Sequence, residues 1–163
     1  MEFSQWFGYQ LRSTLEGFVW AVGQLAGERW YELPPSPLGE WSAAEHVYHM
    51  LNYEKRLALP TMYQWLGKTP KIKREEALKR EIPPVLQMLE EFKQVRQMEI
   101  DLLPKFDEAN WNSFQITEVW GEVSLSWLVS KTYQHTLDHT KNILGLSLFW
   151  DRVIARMARE SDR

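Results

Sequence analysis

Hydrophobic residues recur along most of this chain at spacings of three and four, which places them on one face of an α-helix. The pattern predicts four long helices separated by proline-rich or polar connections. A capping box, formed by a serine and a glutamate three residues later, marks the start of the second helix. The first helix is predicted to end near Gly27, the second to run from Ser42 to about Leu66, the third to open at Pro83 and Pro84, and the fourth to run from Ser124 to about Ala158.

The connections and interruptions of this pattern add detail. Pro60 lies inside the second predicted helix, where its missing N–H predicts a kink or a break. Alternation between Trp111 and Val123 is too weak to predict a hairpin. Four long helices with two long connections predict an all-α four-helix bundle in which residues 1–163 form a single domain. The predicted inner face of the third helix is interrupted by one charged residue and consists of Val85, Leu89, Phe92, Val95, Glu99 and Leu102.

Composition narrows the classes of function. The 163 residues carry a net charge of −3, and glutamates interleave with the basic residues between Lys71 and Arg80, so we expect a solvated surface and no nucleic-acid partner. No stretch approaches the roughly 20 apolar residues that span a bilayer, and the first residues do not resemble a signal peptide. The sequence therefore predicts a cytoplasmic protein without a membrane partner.

The histidines carry the candidate chemistry. The chain has no cysteine, which leaves imidazole and carboxylate as its strong metal ligands. His135 and His139 stand one turn apart on a stripe of the fourth helix that should face the core, so both rings can reach one ion. A third ligand must come from elsewhere, and the second helix offers His46 and His49. Periodicity favours His46 as the buried residue, while His49 lies at the edge of the apolar stripe.

A resemblance separates these two alternatives. The run from Trp41 to His49 reads W-S-x-x-E-x-x-x-H, and together with the later H-x-x-x-H it resembles the DinB-like (DinB/YfiT) superfamily. The resemblance implies an up-down-down-up four-helix bundle, often a homodimer, with a metal triad at His49, His135 and His139. His46 falls where the family usually has an apolar residue, which implies a packing role.

One segment departs from the family pattern. Family members commonly follow the last histidine with Arg-Gly-Gln, whereas this chain has Thr140, Lys141 and Asn142. The triad is intact, but no catalytic residue can be assigned from the sequence. Glu45 is the candidate, since it lies one turn before His49, although its position in the capping box favours a structural role.

Three imidazoles suit a divalent ion, with zinc or nickel favoured and iron or manganese as the alternatives. An ion held in this way can activate water or a thiol, and the resemblance implies both kinds of chemistry. We therefore expect a hydrolase or a thiol-dependent transferase acting on a small organic molecule, with a low-molecular-weight thiol as a candidate partner. The alternative is a non-catalytic helical binding protein in which the metal site is structural or vestigial.

Overall fold

The computed structural model describes residues 2–72 and 81–162 and is dominated by helices. The predicted all-α class is confirmed. The basic residues from position 73 to 80, which the sequence places on a solvated surface, lie outside the described residues. The helices are α1 (Phe3–Gln24), α2 (Ala43–Tyr53), α3 (Leu59–Met62), α4 (Val85–Leu102), α5 (Glu108–Asn112) and α6 (Leu125–Ser161), and the strands are β1 (Phe114–Thr117) and β2 (Gly121–Ser124).

Helices α1 and α4 run in opposite directions. Near the end of α1 the ring of Phe18 lies 5.3 Å from that of Phe92, in the first half of α4. Near the start of α1, Gly8 faces Ile100 and Leu103 at the other end of α4. Apolar side chains fill the space between the two helices, and both phenylalanines are completely buried.

Helix α6 runs parallel to α1 and antiparallel to α2. Arg29, just beyond α1, forms an ion pair of 2.8 Å with Asp151 near the end of α6. In the opposite sense, His46 early in α2 contacts His139, and His49 contacts His135, which comes earlier in α6. Together with the antiparallel α1 and α4, these contacts give the up-down-down-up order that the resemblance implied.

The regular α-helical winding of the second predicted helix is interrupted just before Pro60. After α2 the chain forms a wider π-helical turn at Glu54–Ala58, in which the Leu59 N–H donates to the Glu54 carbonyl, five residues back. This wider turn comes directly before Pro60, which lacks an N–H and would crowd a regular preceding turn. Helical structure then continues to Leu66 and ends at Gly67, whose φ of +72° suits glycine. The predicted interruption and the predicted end are both found.

The core lies between α1, α2, α4 and α6. The inner face predicted for α4 is confirmed, because all six of its residues are buried, including the charged Glu99. Two helix ends differ from the sequence prediction by about a turn or less: α1 ends at Gln24 rather than near Gly27, and α6 continues to Ser161. Among the described residues, no helix has both the length and the apolar character needed to cross a bilayer.

The connection before α6 contains a two-stranded hairpin, which the weak alternation in this part of the sequence did not predict. Strands β1 and β2 are antiparallel, with Phe114 opposite Ser124 and Thr117 opposite Gly121. Phe114 and Ile116 are 66% and 76% exposed, while Thr117 is buried. In β1 the apolar residues thus face outwards, which inverts the pattern expected of a half-buried strand.

Candidate metal centre

Three histidine side chains from two helices converge, and we call them the histidine group: His49, His135 and His139. His135 Nε2 lies 3.1 Å from His49 Nε2 and 3.1 Å from His139 Nε2. Each of the three rings offers a nitrogen, and these nitrogens all lie within 4.8 Å of one another. The structure therefore brings together the three residues that the sequence and the resemblance selected, in a group that could hold a metal ion.

The spacing of these nitrogens suits coordination of one ion. For metal–nitrogen bonds of about 2.0–2.1 Å, tetrahedral angles separate two ligand nitrogens by about 3.3 Å. Right-angled, octahedral coordination at the same bond length separates them by about 2.9 Å. The two distances of 3.1 Å lie between these values, and the third pair, His49 and His139, lies within 4.8 Å, so closing that pair is the main adjustment that an ion would require.

His46 lies beside this group and makes a different contact. Its side chain is buried, and its Nδ1 is 2.8 Å from Nδ1 of His139. That nitrogen of His139 is on the other side of the ring from Nε2, which faces His135. The packing role expected for His46 agrees with its burial, and His49 is half-buried at the edge of the core, as the periodicity indicated.

The capping box at the start of α2 sets the direction in which its histidines project. The Ser42 hydroxyl accepts the backbone N–H of Glu45 at 3.2 Å, and the Glu45 carboxylate accepts the backbone N–H of Ser42 at 2.6 Å. This reciprocal pair satisfies two backbone donors that a helix start otherwise leaves free. Glu45 therefore has a structural task, which agrees with the interpretation favoured by its sequence position.

Aromatic rings surround the histidines. The Trp41 ring lies 5.1 Å from that of His49 and 6.0 Å from that of His139. On the other side, the Tyr53 ring lies 4.3 Å from that of His135. Trp120, from the turn of the hairpin, is 6.1 Å from Tyr53. The missed hairpin thus contributes a residue to the surroundings of the histidines.

Burial keeps the histidines uncharged. It lowers the pKa of His46 and of His135 to about 4 and that of His139 to about 3, and neighbouring histidines add to the effect. The pKa of His49 is lowered as well, again by burial. At neutral pH all four rings are therefore neutral, and a neutral imidazole has the free lone pair that a metal ion requires.

A second buried polar group, which we call the ionic cluster, consists of Glu54, Arg96 and Glu99. The Arg96 guanidinium donates to both carboxylate oxygens of Glu54, with Nε 3.0 Å from Oε2, and its Nε lies 3.2 Å from Glu99. It also donates to the Leu11 carbonyl at 2.9 Å and to the Thr136 hydroxyl at 2.8 Å. This cluster joins α1, α4, α6 and the π-helical turn.

The sequence did not predict the ionic cluster. All three charged side chains are completely buried. Burial raises the pKa of Glu99 well above its usual range, and the nearby Glu54 carboxylate raises it further. Burial raises the pKa of Glu54 as well, and the contact with the Arg96 guanidinium opposes that shift. The charged residue on the inner face of α4 was the one signal of this cluster in the sequence.

An all-α, up-down-down-up bundle with three histidines converging from two of its helices defines the class to which this protein belongs. A family model described as the DinB superfamily matches residues 10–143, a range that contains Trp41 and all four histidines. The chain belongs to the DinB superfamily. The comparison with curated proteins finds no match.

Proposed function

We propose that this protein is a metal-dependent enzyme in which His49, His135 and His139 bind one divalent ion. The proposed reaction is the hydrolysis of a small organic substrate or the transfer of a thiol to such a substrate. The convergence of three neutral imidazole nitrogens carries this proposal. Zinc or nickel is the proposed metal, because imidazole ligands favour both over manganese.

The ligand set indicates what a bound ion would contribute. Three neutral ligands leave the charge of a divalent ion uncompensated and leave coordination positions for water or substrate, so the ion would act as a strong Lewis acid. Among the described residues, the group able to hold an ion contains no carboxylate. Lys131 lies one turn before His135 and adds positive charge near it, which contributes to the low pKa of that ring.

The chain's own residues would position the substrate. His49 and His135 are half-buried, whereas His139 is 8% exposed, so a substrate would approach from the side of the first two rings. Trp41, which is half-buried beside His49, offers an apolar face to an organic molecule. This arrangement supports a small substrate with an apolar part next to its reactive group.

A second candidate function is a helical binding protein whose metal site is structural. One observation favours it: the carboxylate of Glu45, the candidate catalytic residue, is engaged in the capping box. An enzyme that activates water usually has a base within hydrogen-bond reach. In this alternative the ion would stabilise the fold without turnover.

We also propose that the protein is a homodimer, as the resemblance implied. The exposed faces of α1 and α6 carry large apolar side chains, which are frequent at interfaces between subunits. Light scattering on the purified chain would test this proposal, with a dimer as the expected result. A cytoplasmic location stays a prediction. The exposed apolar residues of the two helices include Tyr9 and Trp20 on α1 and Leu137, Leu148 and Phe149 on α6.

The metal site is tested by removing one ligand. We expect untagged wild type to bind about one equivalent of zinc or nickel, and His139→Ala to bind less than a tenth of an equivalent. Asp138→Ala is the matched control, because Asp138 is an exposed residue next to His139 and its loss should leave binding unchanged. Metal content is measured by elemental analysis after dialysis, and thermal melts are recorded with and without chelator. At a free ion concentration of 100 times the dissociation constant, the ion should add about 2.7 kcal/mol of stability.

Turnover separates the two candidate functions. Loaded wild type is assayed with activated esters and with a thiol plus an electrophile, and His139→Ala and Asp138→Ala are run in parallel. Activity that follows metal content across these three proteins supports the enzyme. One bound equivalent without any turnover supports the binding protein, and wild type that binds neither ion rejects the site itself.

A further inference from the structure

His46 is a buried imidazole outside the group of three that could hold an ion. Its Nδ1 lies 2.8 Å from Nδ1 of His139, and both side chains are less than a tenth exposed. Trp41 packs against both rings, with centroids 5.4 Å from His46 and 6.0 Å from His139. The pair is therefore held in place from two helices and from the segment before α2.

Two neutral imidazoles allow this hydrogen bond in two directions, and metal binding by His139 would select one of them. Each neutral ring has one nitrogen that donates and one that accepts, so one Nδ1 must carry the proton and the other must not. If His139 is to offer the lone pair of Nε2 to an ion, its proton must be on Nδ1. His139 then donates to His46, and His46 must carry its own proton on Nε2.

We propose that His46 is a positioning residue that holds His139 in the tautomer and ring orientation that metal binding requires, before any ion arrives. The inference rests on the proposed function of the histidine group. Residues that accept the second N–H of a metal-binding histidine typically change metal affinity by 10-fold to 100-fold when they are replaced.

His135 provides an internal contrast. Its Nδ1 is buried and has no hydrogen-bond partner among the described residues, whereas Nδ1 of His139 has one. The support from His46 is therefore specific to one of the two rings on α6. An imidazole also accepts this N–H without adding a charge to a buried place, which a carboxylate would do at a cost in stability.

Two substitutions at position 46 test the role of the acceptor. His46→Leu introduces an apolar side chain of related size and removes the acceptor, whereas His46→Asn places an amide oxygen, which can accept, near the position of Nδ1. The zinc dissociation constant is measured by competition with a chromophoric chelator. We expect a rise of about 10-fold or more for His46→Leu and of less than about 3-fold for His46→Asn.

The control separates positioning from packing. Met50 is a completely buried residue one turn after His46, and Met50→Leu conserves volume, so it should leave the dissociation constant unchanged. Melts of the ion-free variants measure any general loss of stability. If His46→Leu binds zinc as tightly as wild type, the inference is wrong while the metal site stands. If wild type binds no zinc, the proposed function fails and the inference fails with it.

A direct measurement does not depend on either variant folding. Long-range ¹H–¹⁵N NMR spectra of ion-free wild type at neutral pH report which nitrogen of each histidine carries the proton. We expect the proton on Nδ1 of His139 and on Nε2 of His46. The opposite assignment would overturn the inference, since His46 would then hold His139 in the tautomer that cannot bind an ion through Nε2.

Discussion

The histidine group and the ionic cluster are two polar regions in one bundle, and they solve the problem of burial differently. The histidines avoid charge, because burial lowers their pKa values. The ionic cluster keeps the charge of Arg96, which is completely buried, and pairs it with Glu54. Two of the three converging rings are half-buried, whereas the ionic cluster is sealed from solvent. The comparison indicates that the first region can accept a ligand and that the second holds helices together.

Replacing the cation of the ionic cluster should have the largest effect. Arg96→Met leaves the Glu54 carboxylate buried without its partner, and we expect a loss of about 3–5 kcal/mol in the free energy of unfolding. Urea unfolding followed by circular dichroism measures this loss. Lys93→Met, which removes an exposed cation one turn earlier in α4, should change the free energy by less than about 0.5 kcal/mol. Equal effects of the two variants would contradict a structural role for the cluster.

The pH dependence of stability should differ in sign between the two regions. Below a pH of about 6.5 the histidines take up protons in the unfolded chain, whereas in the folded protein His46 and His135 stay neutral down to about pH 4. The histidines therefore make the ion-free protein less stable as the pH falls. The raised pKa of Glu99 acts oppositely: the folded state keeps a proton that the unfolded chain releases above its ordinary pKa, so stability falls as the pH rises.

Glu99→Gln separates these two contributions. The variant lacks the gain that wild type obtains from Glu99 on acidification, so its stability should fall more steeply between pH 6.5 and 4.5. Urea midpoints of ion-free wild type and Glu99→Gln at several pH values measure the difference. Parallel curves for the two proteins would show that folding does not raise the pKa of Glu99.

The smallest effects should come from the capping box beside the histidines. Ser42→Ala removes the acceptor for the Glu45 N–H, and we expect a loss of about 1 kcal/mol. Glu45→Gln keeps a side chain that can complete the box, so its melt should stay close to that of wild type. The same variant tests Glu45 as the candidate base. If metal-loaded Glu45→Gln loses turnover but keeps the stability and metal content of wild type, Glu45 has a catalytic role as well.

The sequence predicted the long helices well because their periodic patterns are strong, and it also located the interruption at Pro60 and the inner face of α4. The hairpin was missed because each of its strands is only 4 residues long, and alternation over so few residues is a weak signal. The pattern also does not say which face of a strand is buried, so it could not show that Phe114 and Ile116 face outwards.

The two polar regions were predictable to different degrees. The three converging histidines could be selected because two share a helical turn and the resemblance identified the third. The contact between His46 and His139 was not predictable, since a helical wheel gives a direction for a side chain but not which ring nitrogen meets which partner. Glu54 precedes Lys55 and Arg56 in the sequence, so it looks like part of a solvated charged stretch, although its carboxylate is buried.

The π-helical turn at Glu54–Ala58 has a consequence for the tolerance of this helix to change in length. Each residue of an α-helix rotates the chain by about 100°, and the wider turn takes up one residue more than a regular turn, so the helical segments on its two sides keep their inward faces. Deleting the exposed Lys55 would return this turn to regular winding and leave Met62 and Trp65, both buried, directed to the interior. A single deletion at this turn should therefore be less damaging than the same deletion within α2, where no wider turn can compensate for it.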